Sequence, residues 1–203
     1  MMCMGKEIVS RETLLQALRD EVPEHRFRHT LGVMEAAVRL AERYGADPAK
    51  AEMAAILHDI AKYWPVERLR AAVQVSAFPQ DVLAYDAELW HGPVAAEVAR
   101  TRFGVTDEDV LNAIRYHTTG RPGMSVLEKV VCLADYIEPG RQFPGVDEIR
   151  RLAEADLDAA LAKALGGTIA YLISRGMRVY PLTLLAYNDL IGATAARDKE
   201  GGG

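Results

Sequence analysis

Cysteine is scarce. Cys3 and Cys132 are the only two in 203 residues, too few and too far apart for a disulfide framework or a thiolate zinc ribbon. A reducing compartment fits that usage, and Cys132 sits in an apolar run as a core residue. A basic excess is missing too. The net charge of −5 argues against a broad nucleic-acid surface, which needs a basic balance. A small anionic substrate stays open, because bound metal ions invert the sign of a site locally. No apolar run approaches the ~20 residues of a membrane span. The start, "MMCMGKEIVS", lacks the basic-then-apolar order of a secretory signal. The expected setting is therefore the cytoplasm, with no membrane and no nucleic acid as partner. No segment alternates apolar and polar residues for long, and no Asn-Gly or Asp-Gly hairpin signal occurs.

What remains reads as helix. "SRETLLQALRDEV" opens on a Ser cap, and "PEHRFRHTLGVMEAAVRLAERYG" starts at a proline and stops at Gly45. "DPAKAEMAAILHDIAKYW" has Asp47 as N-cap with Pro48 in the first turn. "TDEDVLNAIRYHTTG" ends before Gly120, and "SVLEKVVCLADYIEPG" carries a capping box of Ser125 with Glu128 and stops at Pro139. "VDEIRRLAEADLDAALAKALGGTIAYLISRG" and "PLTLLAYNDLIGATAAR" complete the chain. The pattern predicts one all-α domain over residues 1–203, a bundle of seven to ten helices. Its core would cover about 10–190, with 1–8 and 195–203 flexible.

Within this apolar frame six groups are expensive to bury. The chain has five histidines, and four of them, with two aspartates, run in the order His29, His58–Asp59, His91, His117, Asp135. They lie on five separate helical segments, so only a fold could gather them. His29 is followed one turn later by Gly32 in mid-helix, where glycine costs ~1 kcal/mol against alanine, so a close approach favours it. Ala54, Ala55 and Ala61 leave room around His58. His91 precedes Gly92–Pro93 at a helix start, and His117 lies in the last turn of its helix. Asp135 shares its face with Val131 and Cys132, so its carboxylate must be paired or must coordinate a cation. Taken singly, each has an ordinary reading: a core histidine with a hydrogen bond, or an aspartate paired with an arginine. The conjunction carries the weight. His25, one turn before His29, has no such support and reads as a surface or supporting residue.

These residues carry a resemblance. His29, His58–Asp59 and Asp135 match the pattern of the HD-domain metal-dependent phosphohydrolases. "HRFRHTLGVMEAA", "AAILHDIAKYWP", "HGPVAAEVA", "AIRYHTTGRPGMSVLEKVVCLADYIEPGR" and "FPGVDEIRRLA" resemble the YqeK-type symmetrical diadenosine tetraphosphatases of bacteria, over roughly residues 10–175. "HTTGRPGMS" and "ADYIEPGR" are far more specific than the HD pair. The resemblance implies an HD-domain helical bundle that cleaves diadenosine tetraphosphate into two ADP. Residues alone lead no further than a metal-dependent phosphohydrolase. Another HD-domain nucleotidase or phosphodiesterase is an alternative, although the "GYP" motif of the cyclic-dinucleotide enzymes is replaced here by "HTTGRP". A non-catalytic nucleotide sensor is another, and the intact ligand set argues against it. The chain is too short for the extra domains of an alarmone hydrolase.

Imidazole and carboxylate ligands without thiolate suit iron, manganese, cobalt, nickel or zinc, and iron is favoured. Six ligands exceed the need of one tetrahedral ion. One or two ions are therefore expected, with Asp59 bridging a pair and hydroxide formed on the metal attacking phosphorus. His29, His58, Asp59 and Asp135 form the core set. His91 and His117 would hold a second ion or donate to phosphate. Lys62, at i+4 from His58, is placed to assist catalysis and bind substrate. Arg26, at i−3 from His29, and Arg141, just behind Asp135, would also meet phosphate oxygens. The ordinary reading of all three is a solvated surface charge. Thr118 and Thr119 either donate hydroxyls or cap the helix end. No adenine pocket is legible: Tyr44, Tyr63, Trp64 and Trp90 are candidate stackers with a simpler reading as core. A homodimer stays open.

Overall fold

The computed structural model describes residues 9–201, and the side chains of residues 9–195. Ten α-helices and no strand occur among the described residues: α1 (Arg11–Glu21), α2 (Glu24–Tyr44), α3 (Pro48–Leu57), α4 (Val66–Gln74), α5 (His91–Arg102), α6 (Glu108–Arg115), α7 (Val126–Ile137), α8 (Val146–Ala153), α9 (Leu157–Ser174) and α10 (Pro181–Gly201). Two 3₁₀ turns, Gln80–Ala84 and Ala87–Leu89, lead from α4 to α5. The all-α expectation holds.

Short polar side chains start the helices by accepting the first free amide protons. Ser10, Asp47, Asp107, Ser125 and Asp156 all do so. The Ser125 box is half formed. Its hydroxyl accepts from the Glu128 amide at 3.1 Å, but the buried Glu128 carboxylate turns away to a two-pronged pair with Arg121. α2 ends in a left-handed Gly45 with φ 78°.

Four boundaries differ from the sequence pattern. α6 ends at Arg115 rather than just before Gly120, so His117 stands in the turn beyond the helix and not in its last turn. The stretch from 146 to 176 is broken into α8 and α9 because Asp156 leaves the helix to cap the next one, accepting from Ala159 N at 2.9 Å. α3 stops at Leu57 instead of running to Trp64, and residues 58–64 form turns with bonds from Ile60 N to Leu57 O, Lys62 N to Asp59 O and Trp64 N to Ala61 O. α10 runs as helix to Gly201, over residues whose composition suggests a loose tail. Residues 1–8, the other segment expected to be loose, lie outside the described residues, as does Cys3.

α2 packs on α3 and α7, α6 on α5 and α7, and α9 on α7, α8 and α10 around one cluster of buried apolar side chains. Each of the six candidate ligands lies on or at the end of a helix in the α2, α3, α5, α6, α7 group. α9, with a mean hydropathy of 1.2 over 18 residues, is long and apolar enough by composition to span a membrane, which the sequence pattern had not suggested. Its apolar face is used for packing on α7, α8 and α10.

Gly120 locks the loop after α6 to α10. Its φ is +62°, and an added Cβ would lie 2.9 Å from the Ala186 Cβ. Gly104 has a similar φ of +68° with nothing within 4 Å. Gly120→Ala should therefore lose about 2–4 kcal/mol in urea unfolding, from left-handed strain plus overpacking. Gly104→Ala should lose only the strain. Equal losses in the two variants would show that the Ala186 contact is irrelevant.

Candidate metal centre

The six residues singled out in the sequence converge. The Asp59 carboxylate is 3% exposed, and its two oxygens face different histidines. Oδ2 lies 3.4 Å from His58 Nε2 and 3.9 Å from His29 Nε2. Oδ1 lies 3.0 Å from His91 Nε2 and 3.8 Å from His117 Nε2. Asp135 Oδ1 is 2.9 Å from His29 Nε2. Four Nε2 atoms and two carboxylates thus meet at one point in the core.

The Nδ1 atoms explain which ring nitrogen faces inward. His58 Nδ1 donates to Ala55 O at 2.6 Å, and His117 Nδ1 donates to Ile114 O at 2.7 Å. Each takes the carbonyl three residues back, which a continuing α-helix would have offered to the next residue's amide. Side-chain competition of this kind favours a helix end, and α3 and α6 both end close by. The bond also fixes the tautomer: the proton is on Nδ1 and the Nε2 lone pair points to the centre. His29 uses Glu138 instead, at 3.0 Å from its Nδ1. His91 stands apart, since its buried Nδ1 has no partner.

The Nε2 atoms of His29 and His58 are buried and unpartnered. With Asp135 Oδ1 2.9 Å from His29 Nε2, these imidazoles and carboxylates make a donor set that fits a divalent transition metal. Electrostatics agree. Burial alone would raise the Asp59 carboxyl, but His58 and His91 hold it well below the carboxylate range. Burial would raise Asp135 likewise, and the His29 contact and the Arg141 charge outweigh it. Burial, with His58 and His91 alongside, drives His117 down to about 3, keeping it in the neutral form that ligates. Burial also opposes charge on His58, but Asp59 beside it wins and raises its pKa.

The HD domain model matches residues 26–140, more than half of the chain. The chain belongs to the HD-domain family. It is 49% identical over 186 residues to the symmetrical bis(5'-nucleosyl)-tetraphosphatase of Bacillus subtilis, covering 92% of this chain and 100% of that one. It is 41% identical over 172 residues to the protein of the same name from Staphylococcus aureus, covering 84% and 89%. A crystal structure from Clostridium acetobutylicum, described as a "predicted HD superfamily hydrolase involved in NAD metabolism", superposes with a TM-score of 0.87 at 41% identity, covering 92% of this chain and 99% of that one. An HD domain implies dependence on a divalent metal, and the His/Asp cluster is where one fits.

The HD match takes in all six converging residues and stops one short of Arg141. Arg141 Nη2 lies 2.5 Å from Asp135 Oδ1, and its Nε donates to Asp135 O at 2.7 Å. Arg26 Nη1 donates to Asp59 Oδ2 at 3.0 Å, while its buried Nε is unpartnered. Lys62 is paired with Glu88. The helix-face reasoning for Lys62 needs correction, because the backbone has left the α-helix. Residues 58–64 turn through i to i+3 bonds instead of continuing α3, so the i+4 relation of Lys62 to His58 on one helix face does not apply. Thr118 Oγ1 is buried without a partner, whereas Thr119 donates to Gly120 O at 2.9 Å. His25 bonds the Tyr63 hydroxyl at 2.9 Å, away from the ligands. Trp90 is buried, Trp64 lies under Arg68, and Tyr44 bonds Ala153 O. Cys132 is fully buried, as expected.

Glu138 escaped the sequence reading. It lies one turn beyond Asp135, at the end of α7. Besides His29 it accepts from Gly140 N at 2.6 Å. Gly32 was the available signal: an added Cβ there would sit 2.6 Å from Glu138 Oε2. Arg150, on α8, fixes the loop by donating to Ile137 O, Glu138 O and Arg141 O at 3.1, 2.9 and 2.9 Å. Glu138→Gln should keep the fold and weaken metal binding roughly 10- to 100-fold, the scale of losing a ligand's supporting carboxylate. Competition with a fluorescent chelator measures it, and an unchanged metal affinity would remove Glu138 from the support of His29.

Proposed function

We propose that this HD-domain protein hydrolyses diadenosine tetraphosphate symmetrically, giving ADP as the only nucleotide, in the bacterial cytoplasm. The observation that supports it most is the division of Asp59. Its Oδ2 side faces His29 and His58, with Asp135 beside them, and its Oδ1 side faces His91 and His117. These residues would hold one or two divalent ions, iron being the favoured metal. The relatives named as symmetrical tetraphosphatases supply the substrate.

Divalent ions held there would lower the pKa of water and neutralise phosphoryl oxygens. The chain's own groups do the rest. Arg26, Lys62 and Arg141 ring the ligand set with positive charge. Arg26 keeps its Nε free for an oxygen acceptor, and Thr118 offers a hydroxyl next to His117. Lys62 is held by Glu88, whose carboxyl is only partly buried. Burial raises the Glu88 pKa and Lys62 lowers it by more. An arriving polyphosphate can compete for that ammonium. In the net reaction one water oxygen bonds to phosphorus, the central P–O–P bond breaks, and each half leaves as ADP.

Asp59→Ala removes the group common to both histidine pairs, so metal content and ADP formation should fall together. Full metal occupancy in that variant by elemental analysis would refute the ligand role of Asp59, and equimolar AMP and ATP from wild type at the earliest times would refute symmetric attack. Incubation with a chelator should abolish turnover while leaving the chain folded.

Lys62→Met keeps the apolar stem and removes the charge. It should retain metal and lose roughly 10²–10³ in kcat/KM, as expected for one electrostatic donor that acts most strongly in the transition state. Steady-state kinetics within about threefold of wild type would instead assign Lys62 to the surface with Glu88.

A further inference from the structure

The supports of two candidate ligands stand on one short stretch of chain. His29 takes Glu138, and Asp135 takes Arg141. Both supports lie where the chain leaves α7. Like any helix, α7 ends with carbonyls that its own amides cannot reach, and it has no basic residue in its last turn to meet them. Arginines from beyond the helix meet them instead. Arg141 Nε donates to Asp135 O at 2.7 Å. Arg150, on α8, donates from Nε to Ile137 O at 3.1 Å and from Nη2 to Glu138 O at 2.9 Å. The same Nη2 donates to Arg141 O at 2.9 Å.

Arg150 differs from a surface arginine in what its charge is used for. Its carboxylate partner is Asp147, whose side chain is 87% exposed, and an ion pair of that kind contributes little. The remaining contacts all go to carbonyls, and two of those carbonyls belong to Glu138 and Arg141, the residues that support His29 and Asp135. A guanidinium holds its donors in one plane at fixed angles, so acceptors bound to it are fixed relative to one another. A lysine ammonium on a flexible stem cannot do this.

Glu138 has little freedom to absorb a shift of its backbone. Its carboxylate is held between Gly140 N at 2.6 Å and His29 Nδ1 at 3.0 Å. An added Cβ on Gly32 would lie 2.6 Å from its Oε2, so α2 already passes as close as a glycine allows. Movement of the backbone at residue 138 is therefore transmitted to His29.

We infer that Arg150 is a positioning residue of the metal centre. From a helix that carries no candidate ligand, it fixes the backbone of Glu138 and Arg141 and through them orients His29 and Asp135. Such coupling is reciprocal: a cation on the ligands steadies the loop and α8 in return. The inference rests on the ligand roles proposed for His29 and Asp135, and its tests separate the two.

Hydrogen exchange of the wild-type chain with and without Mn²⁺ needs no variant. Loading should slow amide exchange across α8 by about fivefold or more, and unchanged exchange there would overturn the inference. Arg150→Lys keeps the charge and loses the fork. In competition with a fluorescent chelator it should bind Mn²⁺ roughly tenfold more weakly, the scale of a ligand's outer support, and its α8 should no longer respond to the metal. Combined with Glu138→Gln, its loss should be smaller than the product of the two single losses, because both act on the same imidazole.

An arginine that only pins α8 to α7 makes a different forecast. Arg150→Lys would then lower the urea midpoint of the metal-free chain and leave the Mn²⁺ affinity of the folded protein within about twofold, with losses that multiply in the double variant. Either result would overturn the inference. Asp59→Ala separates it from the ligand set. Loss of Mn²⁺ binding there, with full affinity in Arg150→Lys, removes the role of Arg150 alone, whereas full affinity in Asp59→Ala removes both.

Discussion

A carboxylate is buried at the junction of four histidines, and the rest of the molecule is arranged around that fact. Asp59 is 3% exposed, and isolated burial of such a charge is too unfavourable to survive in a folded domain. Three things offset it here: imidazole edges on both oxygens, one bond from Arg26, and space for cations among unpartnered lone pairs. Because the ligands come from five helical segments, the packing of α2, α3, α5, α6 and α7 is also the assembly of the site. Metal affinity and fold stability are coupled, since a cation that binds only the assembled ligands stabilises the native state by mass action.

The way these groups are held follows from helix chemistry. A ligand in mid-helix lacks a free backbone group to orient it and needs a partner from elsewhere. His29 takes Glu138, and Asp135 takes Arg141. A ligand at a helix end finds its partner locally. His58 and His117 each use the carbonyl three residues back, ending the helix and aiming the ring with one bond. Gly32 and Gly92 then permit the approaches this layout requires. A Cβ on Gly92 would lie 2.9 Å from Arg115 O, so glycine there lets the start of α5 meet the end of α6 and places His91 beside His117.

Much of this was legible in the sequence. Helix class, most N-caps and all six converging residues could be read from residue types, spacing and a motif-level resemblance, because buried polar groups in apolar helices are conspicuous. The places that were not legible share a cause. The end of α3 depends on a side-chain bond made by His58 itself, which periodicity cannot register. Glu138 looked like an ordinary acidic residue at a helix stop, and its role exists only because α2 passes within reach through Gly32.

The same constraint governs how charge is spread outside the ligand shell. Arg26 and Arg141 are each bonded to a carboxylate of the centre, and Lys62 is bonded to Glu88. None of these cations is simply solvated. The arginines hold fixed donor forks: Arg26 bonds Asp59 and retains an unpartnered Nε, and Arg141 bonds both the carboxylate and the backbone carbonyl of Asp135. Lysine, a point charge on a flexible stem, is paired instead with the mostly exposed Glu88 side chain, the partner most easily exchanged for a phosphate oxygen. The positive ring is therefore rigid next to the metals and adjustable at its rim. A polyphosphate needs that order, because its reacting phosphorus must be held in one place while the rest of the chain finds its path.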